Sequence, residues 1–158
     1  LLGFGMDSMA ISGSATASQN STYTGSTMKI KGFYDYNLSS SFTMRFSGGM
    51  DGFTVTGSGG NLTIQYLSLD GAMLWQMNHG SGSLYYLDGG YSFQNPMSSS
   101  NNLGLTSQTN HVIFFGGSMS IPIGKKMYLP IYAHYNYNFP STSVNLYSME
   151  FGVALGWH

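Results

Sequence analysis

Tyr147-Ser148-Met149-Glu150-Phe151-Gly152-Val153-Ala154-Leu155-Gly156-Trp157 alternates without a break over eleven residues. Tyr147, Met149, Phe151, Val153, Leu155 and Trp157 are apolar, and every residue between them is small or polar. A period of two is the mark of a β-strand with two unlike faces. Strands of globular domains run about five or six residues, whereas a strand that crosses a bilayer needs about 9–11. This stretch has the longer measure, with an apolar face suited to lipid.

Composition points the same way. Charged residues make up 7% of the 158-residue chain, against about 25% in ordinary soluble domains. Glycine is abundant at 22, and aromatic residues reach 15%. A net charge of −1 lacks the basic stripe that a nucleic-acid partner needs, and none is expected. The absence of cysteine excludes a disulfide scaffold and thiol chemistry. No apolar run is long enough for a transmembrane helix. No intact signal peptide is visible at Leu1-Leu2-Gly3-Phe4, so an exported chain would have lost it.

Working back from the closing stretch, two hairpins follow. A turn at Gly124-Lys125 sets Ile123 against Met127, Ile121 against Leu129 and Phe115 against Tyr135. A fold near Thr142 sets Tyr137 against Tyr147, His134 against Glu150 and Met127 against Trp157. Apolar then meets apolar at each step, as register demands. Pro122 and Pro130 each remove a ladder donor and are the weak points. A third hairpin folds about Ser40. It places Leu38 against Phe42 and Tyr34 against Phe46, and on the other face Asp35 against Arg45 and Lys29 against Asp51.

The middle of the chain is less regular. Leu62, Ile64 and Tyr66 alternate, and so do Met73, Trp75 and Met77, but in opposite parity. Asp70-Gly71 lies between and reads as a bulge or as a hairpin turn. The bulge gives eight strands, near 2–17, 23–38, 41–56, 61–77, 83–95, 111–123, 126–139 and 144–157. The turn leads to ten. Residues 96–110 are polar and read as the longest loop. The expected fold is an all-β, antiparallel, up-and-down transmembrane β-barrel, one domain over 1–158, with eight strands and ten as the alternative.

The pattern resembles the small bacterial outer-membrane β-barrel superfamily, typified by the transmembrane domain of outer-membrane protein A and by outer-membrane protein X. The residues that carry the resemblance are Phe114-Phe115-Gly116-Gly117-Ser118-Met119-Ser120-Ile121-Pro122-Ile123-Gly124-Lys125-Lys126 and the closing strand Met149 to Trp157. The resemblance implies the bacterial outer membrane as location. It also implies outer-membrane lipid and lipopolysaccharide as surroundings, and the barrel-assembly machinery as a partner during insertion. In that family the closing strand ends on an aromatic residue. Here Trp157 is followed by His158.

Inside such a barrel, Asp35–Arg45 and Lys29–Asp51 are expected as ion pairs, with Lys31 and Asp7 nearby. They would fill the lumen as a polar plug, because unpaired buried charge is costly. His134 and Glu150 fall together on neighbouring strands. Their expected role is an interior hydrogen bond. The alternative is a general base and its orienter, by comparison with lipid A deacylase barrels, which use His, Ser and Glu on late strands. Asn136 stands where that family has Ser. His79, His111 and His158 do not cluster, so neither metal nor cofactor is expected. The functional expectation is a non-enzymatic outer-membrane barrel with an envelope-structural or surface-interaction role through its loops, 96–110 above all. The alternatives are a lipid-modifying enzyme, a small pore, and a soluble all-β subunit of a surface filament pairing through exposed edges. The loop ligand and homo-oligomerisation stay open.

Overall fold

Period-two alternation carries through eight strands in the computed structural model. They are β1 (Leu2–Ala15), β2 (Ser21–Asn37), β3 (Phe42–Gly57), β4 (Gly60–Gln76), β5 (Leu84–Asn101), β6 (Asn110–Pro122), β7 (Met127–Phe139) and β8 (Leu146–Trp157). The structure describes residues 2–15, 21–57, 60–80, 82–101, 109–139 and 146–157, with side chains for most of them from 29 onward. Each strand pairs antiparallel with the next, and β8 returns to β1 from Leu2↔Trp157 to Ala10↔Met149. The sheet is therefore a closed barrel of eight strands. Closure leaves no open edge of the sheet. That overturns the filament reading and the ten-strand alternative together.

Local chemistry explains the hairpins. At the β2–β3 turn, Leu38 N–H donates to Phe42 O at 2.9 Å. Ser39 Oγ accepts from the Ser41 and Phe42 amides at 3.2 and 3.1 Å, so the serine-rich stretch supplies its own turn acceptor. At the β4–β5 turn, Asn78 Oδ1 accepts from Tyr85 N–H at 2.7 Å, and Asn78 Nδ2 donates to Ser83 O at 2.9 Å. The β6–β7 turn closes with Ile123 N–H on Met127 O at 3.1 Å. These three turns and the ends of β1 and β8 share one rim.

The registers of the three hairpins are those expected from the sequence: Tyr34↔Phe46, Phe115↔Tyr135, Tyr137↔Tyr147 and His134↔Glu150 are all partners. Pro130 is fully buried, and the β7–β8 ladder skips Leu129 and Pro130. Without an N–H, proline leaves a gap there.

The middle of the chain corrects two expectations. β4 passes straight through Asp70-Gly71, with Ser47↔Asp70 and Phe46↔Gly71 in an unbroken ladder. There is neither bulge nor turn. Ile64 and Tyr66 are buried in the lumen, while Leu67, Leu69, Met73 and Trp75 face outward. The apparent parity change arose because β4 carries large apolar residues on both faces in different halves. The irregularity lies instead on β5. Gln65 pairs Ser98 and Tyr66 pairs Pro96, leaving Met97 as the extra residue. Proline lacks the donor a regular ladder needs, which favours a bulge at this place. β5 then continues to Asn101. The loop expected over 96–110 is correspondingly shorter, and 102–108 lie outside the described residues.

The surface is the reverse of a water-soluble protein's. Leu69, Met149, Phe151 and Trp75 are 62%, 59%, 57% and 48% exposed, whereas Asp51 is 3% exposed and Ser68 wholly buried. Met149, Phe151, Val153, Leu155 and Trp157 of the closing strand all face outward; the side chain of Tyr147 is outside the described set. Lys29, Lys31, Arg45, Asp35, Asp51, Asp70, Asp88 and Glu150 form the ion pairs and lining of the lumen. Lys125 and Lys126 sit in the β6–β7 turn. Among the described side chains, no charged one lies on the outer wall. A wall this apolar and continuous is stable only against hydrocarbon.

Candidate functional site: the lumen

Three inward glycines make room for the rings that fill the lumen, each opposite its ring in register: Gly90↔Phe114, Gly116↔His134 and Gly156↔Tyr128. A Cβ on Gly156 would lie 2.1 Å from the Tyr128 ring, and one on Gly90 2.6 Å from the Phe114 ring. One strand gives up its side chain so that the next can lay an aromatic across the interior. Phe114, His134 and Tyr132 form a stack, with centroids 5.1 Å apart for Phe114–His134 and 4.7 Å for Tyr132–His134.

Around these rings the charged groups are matched, but not wholly as the sequence suggested. Asp35 and Arg45 form a bidentate pair, Nε to Oδ1 at 2.6 Å and Nη2 to Oδ2 at 2.7 Å. Tyr128 Oη donates to Asp35 at 3.4 Å, and the guanidinium lies 4.3 Å over the Phe33 ring. The fork geometry suits arginine and carboxylate.

Lys29 and Asp51 are partners in register but are not bonded to each other. Lys29 Nζ reaches past the intervening β1 to Glu150 Oε2 on β8 at 2.7 Å. Asp51 instead accepts from Gln94 Nε2 at 2.8 Å and lies 3.3 Å from Lys31 Nζ. Lys31 also donates to Asp70 Oδ2 at 2.7 Å, which Ser47 Oγ bonds at 3.0 Å. The expected Lys29–Asp51 ion pair is therefore exchanged for Lys29–Glu150 and Lys31–Asp70. In a narrow, tightly curved barrel a long lysine reaches the second strand along as easily as the first.

The His134–Glu150 pair is corrected in the same way. The two are neighbours across β7 and β8, yet Glu150 accepts from Lys29 and from Asn136 Nδ2 at 2.8 Å. His134 Nε2 turns the other way, 2.9 Å from Asp88 Oδ1. Its angle there is too poor for a hydrogen bond. Asp88 accepts from Ser118 Oγ at 2.6 Å. The serine thus bonds the carboxylate and not the imidazole. A base must touch the hydroxyl it activates, and His134 does not touch Ser118.

Asp70 and Asp88 are the lumen residues that the sequence reading missed. Their signal was available: both fall on the parity of Ser68, Ser92 and Gln94, which is the small and polar face. A polar run Asn138–Asn110–Gln94–Asp51 continues the network toward the loop end, with Asn110 Nδ2 donating at 3.0 and 2.7 Å to Asn138 and Gln94. Two cavities lie among the described lumen residues. One of about 80 Å³ lies among Asp70, Asp88, Ser92 and His134. Another of about 230 Å³ opens toward the turns at Gly82, Gly124 and Lys125. Arg45 and Leu74 line both and stand between them.

On the outer wall, His111 packs edge-to-face against Phe93, with centroids 5.5 Å apart, and hydrogen-bonds Tyr91 Oη. His79 lies in the β4–β5 turn, near Gln76. His158 lies outside the described residues.

A closed eight-stranded barrel with an apolar outside and a salt-bridged inside defines the class: an outer-membrane β-barrel. Solved structures agree. Neisserial surface protein A matches with a TM-score of 0.65 at 18% identity, over 98% of this chain and 94% of that one. The outer membrane protein OprG from Pseudomonas aeruginosa matches with a TM-score of 0.69 at 12% identity, over 99% and 93%. The outer membrane enzyme PagL matches with a TM-score of 0.50 at 16% identity, over 94% and 97%. The chain has the fold of the small outer-membrane barrels, a fold that carries proteins of different activity. No family model and no curated protein sequence matches the chain.

Proposed function

We propose that the protein is a non-enzymatic integral outer-membrane barrel. Its wall and lumen are structural, and its interactions are made by the connections on the rim opposite the three turns. The observation that carries this reading is the lumen network. His134 and Glu150 are spent on Asp88 and on Lys29, and the imidazole lies inside the wall, away from acyl chains. Loops tolerate variation and commonly carry recognition. Lipopolysaccharide is the surrounding partner at that rim, and the barrel-assembly machinery handles the chain during insertion.

The test exchanges 102–108 and 140–145 for Gly-Ser linkers and measures adherence of expressing cells to epithelial monolayers. Loss of adherence with the folded barrel retained is the expected result; unchanged adherence removes the loops from the account. A parallel assay follows acyl release from lipopolysaccharide by the wild type and by His134→Ala and Glu150→Ala. No release is expected from any of them. Release that both variants abolish would replace this reading with an enzyme.

A further inference from the structure

The turn-side cavity has a chemical bias that the rest of the lumen lacks. Its volume is about 230 Å³, several times the ~30 Å³ share of one water. Its mouth is formed by the β4–β5 and β6–β7 turns, at Gly82, Gly124 and Lys125, and its floor by Arg45 and Asp35. Asp35 is the sole carboxylate among the lining residues. It is already satisfied by two bonds from Arg45 and one from Tyr128.

The unspent capacity belongs to donors. Ser120 is 8% exposed, yet its hydroxyl makes no hydrogen bond to the described protein. The same holds for the Tyr86 hydroxyl. Asn37 accepts from Thr43 Oγ1 at 2.9 Å through Oδ1, which leaves its NH₂ group unused. Among the described residues, the Lys125 ammonium has no carboxylate partner. With Arg45 and Lys125 set against Asp35, the cavity carries net positive charge. The smaller cavity is lined by Asp70, Asp88 and Glu150 against Lys29, Lys31 and Arg45, so its fixed charges balance. The two chambers of one lumen therefore differ in electrostatic character.

We propose that the turn-side cavity binds a small oxyanion, a phosphate monoester or diester group, through Lys125, Ser120, Tyr86 and the Asn37 amide. Charge-assisted hydrogen bonds to phosphate oxygens are the strongest that these groups can make. The group could be presented by a soluble phosphate ester or by an anionic phospholipid headgroup at the turn-side rim. Both supply the same atoms to the same donors.

The test uses the full chain refolded into phosphatidylcholine nanodiscs, with amide NMR signals followed during titration. Inorganic phosphate and glycerol 3-phosphate probe the soluble source. Nanodiscs doped with phosphatidylglycerol probe the headgroup. Saturable shifts at Tyr86, Ser120 and Lys125 are expected in at least one arm, and the arm that responds identifies the source. Lys125→Gln and Ser120→Ala should each weaken binding about tenfold, and Tyr86→Phe should do so to a similar degree. Each variant is first checked for the heat-modifiable folded band. Lys125→Gln alters only an exposed turn side chain and keeps the test available if an interior variant does not fold. Absence of saturable shifts in all arms overturns the proposal. So does an affinity unchanged by Lys125→Gln, or tighter binding of choline than of glycerol 3-phosphate.

Discussion

Lys29 and Glu150 meet at 2.7 Å with side chains 7% and 8% exposed, and one cannot be removed without stranding the other. A carboxylate left buried and unpaired costs about 3–5 kcal/mol, whereas replacing both partners with apolar residues is often close to neutral. Lys29→Met should therefore lower barrel stability by about that amount, read from urea midpoints in lipid vesicles. The double variant Lys29→Met with Glu150→Leu should recover most of it. A single variant as stable as the wild type would show that the two do not pair. The partner exchange also shows what a register can and cannot say. Cross-strand position puts Lys29 beside Asp51 and His134 beside Glu150. Side-chain length and competition from the next-but-one strand then decide which atoms bond.

At the scale of strands, glycine is a structural counterpart of the aromatic ring. Gly116 lies opposite His134, and a Cβ there would sit 2.0 Å from Ala133 O and 2.8 Å from His134 Cδ2. The backbone contact cannot relax by a side-chain rotation. Gly116→Ala should cost about 1–3 kcal/mol or more by overpacking and should slow refolding, seen as a delayed folded band in gel-shift kinetics. Refolding at the wild-type rate would mean that the strands separate more easily than this packing implies. The glycines were visible in the sequence as turn or strand residues. The two late hairpin registers already imply Gly116 opposite His134 and Gly156 opposite Tyr128; that each ring lies over its glycine, and that Gly90 does the same for Phe114, was decided by the tertiary structure. β4 shows the converse. Its apolar residues on both faces hid a continuous strand, since a barrel buries Ile64 and Tyr66 inside while lipid covers Leu69 and Trp75 outside.

For the whole molecule, the decisive property is segregation of charge. Eight charged side chains meet in the lumen and two occupy one turn, so the described outer wall is free of charge. A cation introduced there has no partner and no water. Leu69→Arg, at a position 62% exposed on that wall, should cost about 2–4 kcal/mol if it lies near the bilayer midplane. The measurement is the folding free energy in vesicles of two thicknesses, and the penalty should rise with thickness. A neutral effect would place Leu69 at the interface, or the wall outside a membrane. Closure through β1 and β8 makes the segregation work, because every strand then has a partner on both sides and the backbone needs nothing from lipid.

The sequence by itself determined the class and the hairpin registers, and left eight strands against ten for the closed barrel to decide. These rest on local alternation and on turn chemistry, as at Ser39 and Gly124. It also determined that Asp35 meets Arg45, because that pair is directly cross-strand and matched in reach. Only the tertiary structure decided that Lys29 bonds Glu150, that His134 faces Asp88, and that Arg45 separates a charge-balanced chamber from a donor-lined one. Those contacts each skip a strand on the inner face of the closed wall, β2 to β8 past β1 and β7 to β5 past β6. No period or spacing along a strand encodes a distance that exists only after the barrel has closed.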